Sequence, residues 1–119
     1  MKQRKFWGWG YADQVLTEEE EQAVENRILK NFNLSEVDVL PIPSASEIDL
    51  RKPRINLPGS LKSLFSDDKL ERLNHAYGKS FPDVARAMLS SFPNPPDLVA
   101  FPNNQEDVVS IMDWANDNN

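Results

Sequence analysis

Apolar residues recur at spacings of three and four in four separate stretches of the chain, a pattern typical of amphipathic helices. The first predicted helix begins after Thr17, because Thr17 and Glu20 have the spacing of a capping box. Glutamates at positions 18 to 21 place negative charge on its first turn, where the helix dipole favours it. The helix reaches about residue 31, before a turn at Asn33. Its apolar stripe consists of Val24, Ile28, Leu29 and Phe32.

The helical pattern resumes at Leu61. Ser66 or Asp67 is in position to cap a second helix, and Gly78 is expected to end it in a left-handed conformation. The shared face of this helix is expected to consist of Leu70, Leu73 and Tyr77.

A third helix is predicted to open at Ser80 or Phe81, with Pro82 near its first turn. The prolines at 93, 95 and 96 close it. Its apolar stripe is expected to consist of Val84, Met88 and Phe92.

Residues 34–60 carry prolines at 41, 43, 53 and 58 and include alternating apolar positions. Proline donates no backbone hydrogen bond and restricts the residue before it, which excludes a continuous helix or a central strand. We therefore predict an extended segment that crosses a surface. Such a segment is uncommon inside a compact domain unless it wraps around something larger.

The run from Asp97 to Pro102 is apolar and bounded by prolines, which predicts a short buried strand. A fourth helix follows it, capped by Asn103 or Asn104 and with two acids in its first turn. Its inward face is expected to consist of Val108, Ile111, Met112 and Ala115.

A strand followed by a helix is the beginning of a βαβ unit, whose next strand should lie parallel to the first. The strand at 97–101 needs a partner for its backbone groups. That partner is expected either in the proline-rich stretch or in a longer chain from which this one was cut, and we favour the second interpretation.

The opening of the chain concentrates aromatic residues, with Phe6, Trp7, Trp9 and Tyr11 interleaved with two glycines. Each aromatic ring carries about 150–250 Å² of apolar surface that must be covered. We expect an ordered, non-repetitive segment. Packing of Trp7 and Trp9 onto a body outside this chain is favoured over stacking on a base or a flavin ring.

Composition narrows the chemistry further. The 119 residues suit one small domain or part of a larger one, and a hydrophobic content of 39% predicts a thin core. Having no cysteine, the chain cannot build a thiolate zinc site, a disulfide framework or a cysteine nucleophile.

A formal net charge of -6 argues against nucleic acid and anionic lipid as partners. No run approaches the roughly 18 apolar residues of a membrane span, and no signal core follows the basic start, so we expect a cytoplasmic location.

One short basic island, consisting of Arg51, Lys52 and Arg54, interrupts this acidic chain. Three charges are too few for a nucleic-acid patch, so we predict a solvated loop.

The sequence offers few candidates for chemistry. Histidine is the usual acid–base residue near neutral pH, but His75 stands alone and is best explained as a helix-surface or capping residue. Asp67 and Asp68 are adjacent and do not face each other on a helix, so a capping role is expected. The clustered glutamates in the first turn of the first predicted helix are interpreted as solvated charges and not as a metal site. Asn33-Leu34-Ser35 has the form of a glycosylation acceptor but lacks a secretory signal, so we interpret it as chance.

Three segments, taken in order, resemble a known family. They are FWGWGY at 6–11, RLNHAYGKS at 72–80, and PDLVAFP at 96–102 with Asp107-Val108-Val109. Together they resemble the N-terminal region of alkyldihydroxyacetonephosphate synthase-like FAD-linked oxidases, within the vanillyl-alcohol-oxidase flavoprotein superfamily. The resemblance runs from residue 5 to about 118 and is weakest across 34–60.

The resemblance implies an α+β fold that is mostly helical. Residues 1–93 would form an N-terminal extension, and residues 94–119 would begin an FAD-binding domain of the PCMH type with an incomplete sheet. FAD is implied for the full-length parent, held at a glycine-rich loop beyond Asn119, and no cofactor is expected for this chain alone. The family's catalytic segments also lie elsewhere. We therefore predict no catalytic, cofactor-binding or metal-binding residue in this chain and no catalytic competence by itself.

Partners follow from the same interpretation. The remainder of the flavin enzyme, in cis or as a separate chain, is the expected partner, with self-association through the strand edge as a further expectation. The alternative hypothesis is a free-standing helical protein-interaction module or a docking subunit.

Overall fold

Four helices and one small sheet make up the regular structure of residues 2–118, the part of the chain that this computed structural model describes. This architecture confirms the predicted, mostly helical α+β class. The radius of gyration is 18.9 Å, compared with about 13.5 Å for a compact domain of this length, so the chain is elongated. In chain order the elements are α1 (Glu18–Phe32), a 3-10 turn (Lys62–Leu64), β1 (Phe65–Ser66), α2 (Lys69–Asn74), α3 (Phe81–Met88), β2 (Val99–Ala100) and α4 (Gln105–Asp117).

Helix α1 forms where the sequence predicts it. The Thr17 side chain accepts a hydrogen bond from the Glu20 amide, and the Glu20 carboxylate accepts one from the Thr17 amide at 2.9 Å. These bonds lower the pKa of Glu20, because they favour its charged form. Asn33 ends the helix in a left-handed conformation, with its amide bonded to the Leu29 carbonyl. None of the residues of α1 is buried.

Helix α2 is shorter than predicted. Asp68 caps it, and it ends at Asn74 with His75 as the C-cap, so the expected left-handed cap at Gly78 is wrong. The chain leaves the helix early because Tyr77 turns towards the core. There its ring lies 6.1 Å from that of Phe92, and its hydroxyl accepts a hydrogen bond from the Asn94 amide.

Helix α3 begins as predicted, with Ser80 and Asp83 forming a second capping box. It ends at Met88, so Phe92 does not continue its apolar stripe as expected. Instead, Ser90 adopts a left-handed conformation and the chain turns back, which places Phe92 in the core from a loop.

The strand predicted at 97–102 is confined to β2, between flanking segments that contain prolines. Its partner is β1, which lies in a stretch predicted to be helical, and the two strands are antiparallel. Phe65 pairs with Ala100 and Ser66 with Val99. The expectation that a partner would be found only in the proline-rich stretch or in a longer chain is therefore wrong for this edge of the strand.

Helix α4 starts at the predicted cap, Asn104, but its inward face differs from the prediction. Of the four expected inward residues, only Ile111 is half-buried, and the other three are exposed. Trp114, which was not on the predicted face, packs edge-on against Phe65 at 6.0 Å between ring centroids. The helix is thus anchored to β1 by an aromatic contact.

The core is small and is closed by the opening segment of the chain. A tight turn, with Gly10 at a φ of 84°, brings Phe6 inward until only 3% of its surface is exposed. The proline-rich stretch contributes Ile48 to the same cluster and, apart from turns, has no helix or strand, as predicted. The cluster consists of Phe6, Ile48, Leu73, Ala87 and Phe92, with Trp7, Leu70 and Tyr77 packed around it.

Truncation of Leu73 should strongly destabilise this thin core. Leu73 is 1% exposed, so Leu73→Ala leaves a cavity and should lower the free energy of unfolding by about 2–5 kcal/mol. Leu89→Ala is the matched control, because Leu89 is 68% exposed and should change stability by only about 0.5 kcal/mol. Urea unfolding followed by circular dichroism measures both. Equal effects of the two substitutions would contradict this description of the core.

Candidate functional site

Three arginines and one aspartate connect distant segments of the chain, and we call Arg51, Arg54, Arg72 and Asp97 the arginine clasp. Arg72 is buried; its Nε donates to the Pro96 carbonyl at 2.8 Å, and its Nη2 donates to the Arg51 carbonyl at 2.7 Å. Arg51 in turn donates to the Pro95 carbonyl at 2.9 Å. The clasp thus holds the proline-rich segment against the turn that precedes β2.

Asp97 is the anionic centre of the arginine clasp. Its Oδ2 lies 2.8 Å from Nη2 of Arg54, and its Oδ1 accepts the Arg54 backbone amide at 3.2 Å. Arg51 Nε approaches Oδ1 at 3.6 Å. The hydrogen bonds from Arg54 and the charges of both arginines lower the pKa of Asp97 to about 2, although burial opposes the shift. Asp97 is therefore ionised at neutral pH.

The basic island is a loop of exposed residues, as predicted, but it is also paired. Arg51 and Arg54 bind Asp97, whereas Lys52 makes no hydrogen bond to another described residue. Sequence analysis did not pair these residues. The sequence did contain one signal for the pairing. Asp97 opens a run that is predicted to be buried, and a buried acid needs a partner of opposite charge or hydrogen-bond donors.

His75 lies at the end of α2, as the capping interpretation predicts. Its Nδ1 donates to the Glu71 carbonyl at 2.8 Å, and its ring lies edge-on to that of Phe101 at 6.2 Å. The Glu71 carboxylate is 3.9 Å away. This geometry fixes the imidazole by helix capping and aromatic packing and does not pair it with a nucleophile.

The other acidic candidates also have local structural roles. Asp68 accepts the amides of Leu70 and Glu71 at 2.9 and 3.1 Å, which confirms a capping role. Asp67 is exposed at the rim of a shallow groove of about 360 Å³ beside β1. The groove is lined by Pro53, Ile55, Asn56, Leu57, Lys62, Phe65, Asp67 and Leu98, and it brings no acid–base pair of catalytic type together. Asn33, of the acceptor-like Asn33-Leu34-Ser35, caps α1.

The two opening tryptophans have different environments. Trp7 packs edge-on against Phe6 at 5.0 Å and is half-buried within the chain. Trp9 remains 77% exposed, and its indole nitrogen donates to the Lys79 carbonyl at 3.0 Å. Lys79 reaches back to the Phe6 carbonyl at 2.6 Å, and burial lowers its pKa. Packing of these tryptophans onto an outside body stays a prediction, and Trp9 is the more exposed of the two.

Large apolar side chains remain exposed on both terminal helices and along the proline-rich segment. On α1 they include Val24 and Phe32, the latter 71% exposed, and on α4 they include Val109 and Met112. Exposed apolar patches on a soluble protein often mark interaction surfaces.

Within residues 2–118, no group of three or more His, Asp or Glu side chains is placed to hold a metal ion. Across this described range, no helix combines the length and the apolar content that crossing a membrane would require.

Sequence comparison identifies relatives of one kind. The chain is 33% identical over 91 residues to an alkyldihydroxyacetonephosphate synthase of Dictyostelium discoideum, a match that covers 72% of this chain and 15% of that protein. It is 36% identical over 64 residues to an alkyldihydroxyacetonephosphate synthase of Trypanosoma brucei brucei, covering 50% of this chain and 10% of that protein. The chain thus spans only a small fraction of the length of these relatives. No family model matches it.

Structure comparison agrees. Two crystal forms of an alkyldihydroxyacetonephosphate synthase match 92% of this chain with a TM-score of 0.68 and 24% identity, covering 25% and 24% of those chains. Identity at this level shows the fold alone, and the fold is that of part of the larger protein. Together the comparisons confirm the resemblance expected from the sequence.

Neutralising Asp97 should remove part of the acid sensitivity of the fold. Because the folded-state pKa of Asp97 lies below its ordinary value of 3.8, its ionised form stabilises the fold above about pH 4, and this contribution is lost as the pH falls towards 2. Asp97→Asn should lower the free energy of unfolding at pH 7 by about 1–3 kcal/mol and reduce the further loss between pH 4 and 2. Urea titrations at these pH values measure both effects.

Asp13→Asn is the matched control for this substitution. Asp13 pairs with Lys2 at 2.9 Å, but both side chains are well exposed, so its loss should cost no more than about 1 kcal/mol. The role of the clasp would be refuted if Asp97→Asn and the unsubstituted chain lost equal stability between pH 4 and 2.

Proposed function

We propose, from the similarity to alkyldihydroxyacetonephosphate synthases, that this chain is part of an FAD-linked oxidoreductase of that type. The observation that carries the proposal is the 33% identity over 91 residues, since it covers most of the described chain. The agreement in fold with solved synthases supports it. The proposal extends to the substrate class, an acyl- or alkylglycerone phosphate or another hydroxylated compound.

Within such an enzyme the chain would supply two parts. Residues 1–93 would form a helical extension, and residues 94–119 would supply the first strand and helix of the FAD-binding domain. The arginine clasp crosses this division, because Arg51, Arg54 and Arg72 hold the turn that contains Asp97. Its role would be to fix β2 and α4 relative to the extension.

The edge of β2 that faces away from β1 supports this placement. The Phe101 amide donates a hydrogen bond to the Leu64 carbonyl at 2.7 Å. In an antiparallel pair, the backbone groups of successive residues point to alternate edges of the strand. The amide and carbonyl of Ala100 therefore point to the edge that faces away from β1. A further strand would bond there. We propose that this strand comes from the remainder of the flavin enzyme, with a second copy of the chain as the competing occupant.

The proposal assigns flavin binding to residues outside this chain. FAD would supply the electron-transfer chemistry of the parent, and this chain's residues would position the domain that holds it. Exposed apolar residues of α4, including Val109 and Met112, would be covered by that domain. We also propose a cytoplasmic location. Disulfides are rare in that compartment, and this chain has no cysteine with which to form one.

Flavin content of the natural protein tests the proposal. The protein that carries this chain, tagged and purified from its source cells under native conditions, should contain about one FAD, visible as the absorption of oxidised flavin. The isolated 119-residue chain should retain none after gel filtration. The same cells, fractionated, report the compartment.

Each outcome decides between the hypotheses. Flavin on the same polypeptide supports a single enzyme, and flavin on a co-purifying chain supports a docking subunit. Recovery without flavin would refute the proposal and favour a free-standing interaction module. Stoichiometric FAD on the isolated chain would refute the assignment of flavin binding to residues elsewhere.

A further inference from the structure

Helix α1 contributes no residue to the buried core. None of its residues is buried, and within residues 2–118 its side chains make no hydrogen bond or ion pair beyond the segment 17–33. The residues on both sides of it are exposed as well, including Val15, Leu16, Leu34, Val39 and Leu40. An amphipathic helix gains most of its stability from packing, so a 15-residue helix of this kind calls for a covering surface.

The apolar face of α1 also carries two of the five acids of the helix, and both lie towards its N-terminal end. At about 100° per residue, Glu21 and Glu25 project within about 60° of Ile28, the middle of the apolar stripe. On this face the first two turns carry Glu21 and Glu25 beside Val24, and the last turn carries no acid. The basic residues Arg27 and Lys30 project to the other side of Ile28, away from Glu21 and Glu25.

This arrangement selects the chemistry of the partner. An anionic membrane is excluded because interfacial helices carry Lys and Arg beside their apolar face, whereas α1 carries glutamates there. A second α1, paired antiparallel about Ile28, would place Glu21 and Glu25 opposite Ser35 and Asn31, with no base to neutralise them. A protein groove that is apolar at one end and lined by Lys or Arg at the other matches both halves of the face.

We propose that α1 docks, through the face formed by Glu21, Val24, Ile28 and Phe32, into a groove with a basic end and an apolar end on the remainder of the flavin enzyme. This rests on the proposed function for the identity of the partner. The mode is a helix laid into a groove, with spaced apolar anchors giving affinity and the glutamates fixing direction.

Hydrogen exchange of the α1 amides tests the docking. In the assembly purified from cells through the tagged natural protein, amides of residues 22–32 should exchange at least about tenfold more slowly than in the isolated 119-residue chain. Equal exchange rates in the two samples would overturn the proposal. Protection that appears in the isolated chain as its concentration rises would also overturn it, because the occupant would then be a second copy.

Two matched pairs of variants separate docking from helix stability. Glu21→Lys reverses charge on the docking face, whereas Glu19→Lys makes the same change in the same turn on the opposite face. Glu21→Lys should lower α1 protection in the assembly about tenfold and Glu19→Lys should not. Phe32→Ala should act like Glu21→Lys, and Phe81→Ala, at a residue that is 84% exposed on α3, should leave α1 protection unchanged.

The outcomes distinguish this proposal from the function on which it rests. If the assembly contains FAD but α1 is unprotected, or if Glu19→Lys and Glu21→Lys act equally, the docking proposal fails and the flavin proposal stands. If α1 is protected in a charge-dependent way in an assembly without FAD, the docking of α1 into a groove is supported. The proposal that the groove belongs to a flavin enzyme is then refuted.

Discussion

The buried guanidinium of Arg72 determines where the separate segments of this chain meet. It donates to carbonyls on two segments that are far apart in sequence, and neither segment has a helix or a long strand to hold it. A buried charge is costly unless its donors are used, so this geometry persists only while both carbonyls are in place. Asp97 completes the arrangement by neutralising the arginines of the proline-rich segment. Polar contacts thus hold distant segments of this chain together, as a larger apolar core does in most domains.

The small core and the large exposed apolar surface have one origin. The apolar residues that pack together come from the opening turn, the proline-rich segment, α2, α3 and the loop after α3, whereas α1 and α4 contribute no buried residue. The elongated shape, 58 × 26 × 22 Å, follows from this division. The chain is thus extended and has only a small core, unlike a compact domain. Its similarity to a fraction of a much longer enzyme is consistent with that form.

Local structure could be predicted from the sequence, and long-range packing could not. The caps at Thr17 and Asn104 and the start of α3 follow from side chains three residues apart, so short-range spacing contains the information. The ends of α2 and α3 depend on Tyr77 and Phe92 reaching a shared core, which no local pattern encodes. The pairing of the basic island with Asp97, more than 40 residues away, was missed for the same reason. For the site, the sequence identified the acidic helix, whereas the alignment of Glu21 and Glu25 with a partly exposed apolar stripe was missed.

The double capping of α1 has a consequence for the kinetics and entropy of association. Thr17 and Glu20 fix one end of the helix, and Asn33 closes the other by returning an amide to the Leu29 carbonyl. A segment that must fold as it binds loses affinity to the ordering of its backbone, whereas a helix already closed at both ends has less freedom left to lose. In the proposed docking, α1 would meet its partner as a formed helix, so association would be a rigid-body search and affinity would depend mainly on the dissociation rate.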